Sequence, residues 1–249
     1  MQTNPTQIND LHRIDLYLHF YGDAIDDQRT EAECEFIIRE CQLAPGMDIL
    51  DLACGHGRHA NSLAAKGYPV TGIDLNADFI DLARQHASQK GLSIDFRVDS
   101  MLNLEAEDAY DCIILVFNSF GFLDREDGIK LIQRMKSALK SSGKMFLDIK
   151  NRDSILKELT GCHVTEKGQD LMIDRLSFDP REGTTTNQRI YIKDGVRYDT
   201  PFTMQLYNYS EFSSLMEQHG LNITRSFGSW SGKAFGADSR RIIAVVEKG

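Results

Sequence analysis

Three carboxylates and one glycine turn are spaced to bind a ligand. Asp51 stands four residues before Gly55-His56-Gly57, and Asp74 and Asp99 follow at intervals of roughly one β-α unit. Glycines let a ligand approach the backbone closer than any Cβ would allow, and a helix beginning there points unpaired N–H groups into the same space. Gly55, Gly57 and Ala60 fit the G-x-G-x-x-G/A fingerprint, which alone is weak and gains meaning from the acidic residues around it. The elements that must position these groups are strands. Residues 49–52 form an apolar run of the buried parallel type that breaks at the glycines, residues 69–74 give a second strand closed by Asp74, and residues 94–99 give a third closed by Asp99. The carboxylates would then line the carboxyl edge of neighbouring strands, where open α/β sheets bind ligands.

From about residue 30 onward the sequence resembles the class I S-adenosylmethionine-dependent methyltransferases. The likeness is carried by Asp51-Leu52-Ala53-Cys54-Gly55-His56-Gly57-Arg58-His59-Ala60, by Val70-Thr71-Gly72-Ile73-Asp74-Leu75, by Val98-Asp99-Ser100-Met101, and by Asp111-Cys112-Ile113-Ile114-Leu115-Val116-Phe117-Asn118-Ser119-Phe120-Gly121-Phe122. It implies a doubly wound, Rossmann-like seven-stranded α/β sheet and S-adenosyl-L-methionine as cofactor, with S-adenosyl-L-homocysteine as product. Asp51 and the Gly55 to Gly57 backbone would hold the methionine portion, Asp74 both ribose hydroxyls, and Asp99 with the Met101 amide the adenine. Ala53, Leu75, Ser100, Phe117 and Asn118 complete the implied cofactor set. Tyr17 and Tyr21 join it as a flap, because N-terminal tyrosines close the site in related enzymes; the alternative is a helix packed on the core. The Cys-Gly-x-Gly-Arg-His-Ala wording is similar to a bacterial branch that mostly modifies small molecules.

Methyl transfer from a sulfonium is an in-line displacement, so the protein has to align the acceptor, exclude water and manage a proton. No nucleophile or metal is required. General-base candidates are His163, Tyr207 and Glu211. Asn118 follows strand four, where donor meets acceptor, but the Asn-Pro-Pro-Tyr of amino-group enzymes acting on DNA bases or glutamine is lacking its prolines. Asn118, Phe120 and Phe122 are read as acceptor contacts, with loop ordering and core packing as the alternative. Phe202, Tyr207, Tyr209 and Trp230 suit an acceptor pocket, a core or a dimer face. Arg240 and Arg241 suit an acidic acceptor group or plain solvated charge. His56, Arg58 and His59 are not read as catalytic, and His86 is read as a helix-surface residue.

The 249 residues suffice for one α/β domain with an insertion. A net charge of -9 and a pI near 5.3 oppose broad nucleic-acid binding. Five cysteines without C-x-x-C spacing indicate neither a disulfide framework nor a zinc site, consistent with a reducing cytoplasm. No leader or membrane-spanning run is expected, and the protein is read as an unexported monomer or homodimer with a small-molecule acceptor.

Residues 1–9 are expected to be poorly ordered. Thr30 and Glu33 have capping-box spacing, predicting a helix over 30–42; further helices follow the glycine turn to about Lys66 and carry the Phe79, Ile80, Ala83 and Ala87 face. Strand four is placed at 111–116, a helix starts at Asp124 and stops at Gly143, and strand five is placed at 144–149. The pattern then turns to β-type runs at 171–178, 188–193 and 198–206, with Asp194-Gly195 as a hairpin signal. Residues 1–158 and 207–249 are accordingly read as the cofactor-binding core with an N-terminal helical cap, and 159–206 as an antiparallel insertion serving as lid or dimer element. A helix at 210–219 and strands at 222–227 and 241–246 close the chain. Rival functions are a protein or RNA methyltransferase of the same fold, a dinucleotide oxidoreductase, and a cofactor-binding protein without catalysis.

Overall fold

A computed structural model describes residues 13–157, 159 and 161–249. The expectation for residues 1–9 lies outside the described residues. Strand β1 (Ile49–Leu52) is buried along its whole length in the interior of a seven-stranded sheet. β2 (Val70–Asp74) and β3 (Asp95–Val98) lie on one side, and β4 (Tyr110–Leu115) and β5 (Leu139–Lys150) on the other. The order is β3-β2-β1-β4-β5-β13-β12, where β12 is Leu221–Phe227 and β13 is Arg241–Lys248. β1 to β5 are parallel and β13 is antiparallel to both its neighbours. Leu52 aligns with Ile73 and Leu115, and Asp74 with Val98, so the turns after β1, β2, β3 and β4 share one rim. The chain reverses its direction of winding between β1 and β4, which opens a crevice at that rim.

Because side chains alternate across a strand, the sheet separates two cores. Leu50, Leu52, Ile113, Leu115 and Leu147 meet helices α5 (Arg125–Ala138) and α7 (Tyr209–Gln218). Ile49, Cys112, Ile114, Phe146 and Val245 meet α2 (Asp27–Cys41), α3 (Arg58–Ala65) and α4 (Ala77–Gln89).

Two predicted boundaries move. Helix α2 starts one turn before Thr30, because the Asp26 carboxylate accepts the Arg29 N–H at 2.7 Å and so caps the helix. Glu33 does not reach back as a cap; Arg29, Arg58 and His59 hold it. Gly143 is not a helix stop. α5 ends at Ala138, and Gly143 lies within β5, where a Cβ would stand 2.8 Å from Leu139 and 3.0 Å from the Tyr110 carbonyl. The register slips there between Tyr110 and Cys112, a close backbone approach that only glycine permits.

A short helix, α6 (Arg152–Lys157), leads into a second sheet. Six strands, β6 (Cys162–Lys167), β7 (Asp170–Asp179), β8 (Thr184–Asn187), β9 (Ile190–Lys193), β10 (Val196–Asp199) and β11 (Phe202–Gln205), pair antiparallel around the long β7. Asp194 and Gly195, both at positive φ, make the β9–β10 hairpin turn. Helix α1 (Ile14–Tyr21) seats Leu16 and Phe20 on Met172 and Tyr191 of this sheet, so the N-terminal helix packs on the second sheet rather than on the main core. Among the described residues no helix is long and apolar enough to cross a membrane.

Candidate active site

The rim crevice and the second sheet enclose a cavity of about 810 Å³. Its floor is the glycine turn. Ala53, Gly55 and Gly57 take φ of 52°, 56° and 73°, turning the chain out of β1 and into α3. Gly55 lines the cavity and donates its N–H to Asp74 Oδ2 at 2.8 Å. Gly57 does not line it. A Cβ there would lie 2.8 Å from both Ala83 and Phe96, so this glycine serves the packing of α3 on α4 and β3, a correction to its expected ligand role.

Asp51 is 1% exposed, and neither of its carboxylate oxygens has a hydrogen-bond partner among the described residues. Burial drives its pKa up to about 7; the Arg58 charge and the nearby Ala60 N–H oppose this and Asp74 adds to it. A buried, unpartnered carboxylate is costly and fits a cationic ligand. Arg58 acts on Asp51 only at a distance, because its direct ion pair is with Glu33 at 2.6 Å. Glu33 also takes His59 Nε2 at 2.9 Å. Burial alone would raise Glu33, but the His59 hydrogen bond and the Arg58 charge hold it down to about 2, so this cluster pins α3 to α2.

Asp74 accepts the Asn76 N–H at 2.9 Å as well as that of Gly55, and burial raises its pKa despite these bonds. Asp99 receives the Ser100 N–H at 2.7 Å and the Asn103 side-chain amide at 2.8 Å. Asp51, Ala53, Asp74, Leu75, Asp99, Ser100 and Met101 all line the same cavity.

Beyond β4, Phe117 and Asn118 both take left-handed backbone, at φ 60° and 66°. Such strain in consecutive non-glycine residues persists only where surroundings impose it. Here Asp148, fully buried in β5, accepts the Phe117 N–H at 3.0 Å, and its carbonyl accepts that of Asn118 at 2.9 Å. Arg241 braces Asp148 by a two-pronged ion pair. Asn118 in turn accepts the Lys150 N–H at 2.8 Å. Phe117, Asn118, Phe122 and Phe202 line the cavity.

Tyr17 and Tyr21 form part of its roof, their rings 5.2 Å apart, with Tyr17 edge-on to Phe79 and Tyr21 edge-on to Phe117. Burial raises both phenols, Tyr17 to about 12, so both stay protonated. Arg189 enters from the second sheet, 5.8 Å above Tyr21 and 5.1 Å above Phe202, and is tied to Asp174 through two bonds of 2.6 and 3.0 Å.

Several expected residues fall elsewhere. Phe120 and Tyr207 pack on each other and on Phe212 in the core. Trp230 lies on Phe36, His59 and Phe146, and Tyr209 stacks on Phe235. None of these lines the cavity, and the three general-base candidates do not either. His163 is exposed on β6, Tyr207 is in the core, and Glu211 closes the capping box of α7 and pairs with Arg152. Lys150, Arg189, Tyr191, Met204 and Asn76 line the cavity without having been singled out. Lys150 had a usable signal, since a lysine ending a buried strand at the ligand-bearing rim is out of place in the core. Arg189 had none, because its position depends on how the second sheet folds over the first.

A family model described as a methyltransferase domain matches residues 49–143. The glycine/sarcosine N-methyltransferase of Halorhodospira halochloris is 32% identical over 165 residues, covering 61% of this chain and 60% of that protein, so the chain spans less than two thirds of this relative. Among solved structures, the CcbJ methyltransferase of Streptomyces caelestis superposes with a TM-score of 0.86 at 20% identity, over 99% of each chain. An S-adenosylmethionine-dependent methyltransferase from Clostridium acetobutylicum ATCC 824 gives 0.81 at 21% identity, over 94% of this chain and 97% of that one. The chain has the α/β fold of these enzymes, with an additional antiparallel sheet.

Proposed function

We propose that this protein is an S-adenosylmethionine-dependent methyltransferase acting on nitrogen or oxygen of a small metabolite. The observation that carries this reading is Asp51, a buried carboxylate with no close hydrogen-bond partner among the described residues, at the floor of an aromatic-roofed cavity whose rim also bears Asp74 and Asp99. When bound, the cofactor supplies a methyl group on a cationic sulfur that needs no further activation.

The donor set fits that group. Asp51 supplies a counter-charge for the methionine ammonium, worth on the order of 4 kcal/mol at contact distance with an effective dielectric near 20. Asp74 keeps lone pairs free after accepting two backbone N–H groups, enough to receive both ribose hydroxyls. Asp99, with the amide of Met101, faces the adenine. Tyr17 and Tyr21 close the roof and exclude water. Phe117 and Asn118, fixed by Asp148, hold the acceptor face rigid. For an amine acceptor the Lys150 charge lining the same space favours the neutral amine, which gives its proton to solvent before it binds, so no dedicated base is needed. Within this reading residues 159–206 act as a lid over a core made of 1–158 and 207–249.

A small acceptor is favoured over protein or RNA because the second sheet and α1 roof the cavity, whose volume lies in the range of small-molecule sites. The test is calorimetric titration with S-adenosylhomocysteine, followed by labelled-methyl incorporation into metabolite pools. Binding that is lost in Asp74→Ala is expected. Absence of binding in the unaltered protein, or an Asp74→Ala variant that binds equally well, would falsify the cofactor assignment.

A further inference from the structure

The acceptor end of the cavity has an unbalanced charge. Arg189, from the connection between β8 and β9, is neutralised by Asp174 of β7, which also takes the Asn187 amide at 2.7 Å. Arg241, at the start of β13, is neutralised by Asp148 of β5. Lys150, the last residue of β5, lines the same space, and no carboxylate among the described residues stands within ion-pair distance of its ammonium. Other titratable groups lining the cavity are the phenols of Tyr21 on α1 and Tyr191 on β9, which burial keeps protonated, Asp127 on α5, which Lys130 pairs at 3.2 Å, and the acidic rim with His56, Arg58 and His59 around the glycine turn. Within this cluster, among the described residues, three cations therefore share two ion-paired carboxylates. The excess charge sits on a side chain whose own backbone N–H is gripped by Asn118, so the lysine is anchored to the strained loop after β4.

Holding an uncompensated cation in a half-buried cavity costs stability, and such a group persists where a ligand supplies its counter-charge. We infer that Lys150 anchors an anionic group of the acceptor, a carboxylate or a phosphate, and thereby turns the reactive atom toward the rim at Phe117 and Asn118. This rests on the methyltransferase reading above and narrows its acceptor to oxyanion-bearing metabolites. The same cavity carries the acidic rim of Asp51, Asp74 and Asp99, with Arg58 beside it, and this basic cluster. The Lys150 pKa agrees in direction: burial first, then the Arg189 and Arg241 charges, bring it down to about 8 with only Asp174 opposing. A bound anion would raise it again.

That response is measurable without knowing the acceptor. The protein is labelled with a trace of isotope-coded acetic anhydride near neutral pH, with and without S-adenosylhomocysteine, and the Lys150 peptide is quantified by mass spectrometry. The probes are sodium propionate, inorganic phosphate and, as neutral control, propionamide, at constant ionic strength. An anion that raises the lysine pKa by about one unit lowers its reactive neutral fraction about tenfold. We expect that loss of labelling with propionate, phosphate or both, the stronger of the two identifying the group, and none with propionamide. Equal labelling under all three probes overturns the inference. In parallel, thermal stabilisation by the effective anion is expected in the unaltered protein and in Lys150→Arg, and is expected to be lost in Lys150→Met. Retention of the anion effect in Lys150→Met also overturns it. Titration of the same variants with S-adenosylhomocysteine separates the two claims: loss of cofactor binding in the unaltered protein sinks the enzyme assignment, whereas the anion response reports on Lys150 alone.

Discussion

Replacing Asp51 by asparagine should make the ligand-free protein more stable at alkaline pH relative to the unaltered chain. Burial moves the carboxyl pKa from 3.8 to about 7, so the native state binds a proton more tightly than the unfolded chain does. For a group raised in this way, stability is full below the unfolded pKa and declines as pH climbs through the interval between the two values. The cost, at about 1.4 kcal/mol per unit over roughly three units, reaches about 4 kcal/mol once pH exceeds about 7. Asp51→Asn removes that slope. Its own buried amide adds a penalty of about 1 to 3 kcal/mol, which does not depend on pH. The pH dependence of the difference therefore carries the information, not its absolute value. Urea unfolding of both proteins from about pH 4 to about pH 8 should show the difference moving in favour of the variant by up to about 4 kcal/mol. S-adenosylhomocysteine should reverse the order, because a ligand ammonium beside Asp51 favours the ionised form; affinity of the unaltered protein should rise with pH up to about 7, and the variant should lose that dependence. A stability difference that stays flat across the whole pH range would refute the claim that Asp51 is an unpartnered buried carboxylate.

Gly57→Ala combines a φ of 73° with a Cβ placed 2.8 Å from Ala83 and Phe96, and should lower stability by about 1 to 3 kcal/mol in chemical denaturation. Arg241→Gln strips the ion-pair partner from Asp148, which is fully buried, and should cost about 3 to 5 kcal/mol while loosening the Phe117 loop, seen as faster amide exchange at Phe117 and Asn118. Asn118→Ala leaves the Lys150 N–H without its acceptor, an expected loss of about 1 to 3 kcal/mol; methyl transfer should fall further than S-adenosylhomocysteine affinity does.

The cofactor end of the site was legible because its residues belong to short contiguous segments at strand ends. Asp51, Asp74 and Asp99 each close or nearly close an apolar run, and parallel pairing carries all three to one rim. Gly57 shows the limit of reading a motif, since the same residue type at the same spacing serves α3 packing while Gly55 faces the cavity. The acceptor end was read less well. Phe120, Tyr207 and Trp230 are aromatic and near the right segments, but an aromatic side chain buries itself on whichever face offers partners, and here those lie in the core or across the sheet. Gly143 reads as punctuation in the sequence because a glycine after a helical pattern and a glycine at a strand contact look the same in one dimension.

Local patterns by themselves determined the alternating strands and helices, the glycine turn and the acidic rim, since each depends on side-chain periodicity or on backbone freedom within a few residues. Tertiary structure alone decided that α1 rests on the second sheet, that Arg189 and Arg241 have carboxylate partners and that Lys150 has none among the described residues. Those outcomes depend on contacts between segments as far apart as residues 148 and 241, and a charge is balanced or unbalanced only through what folding brings beside it.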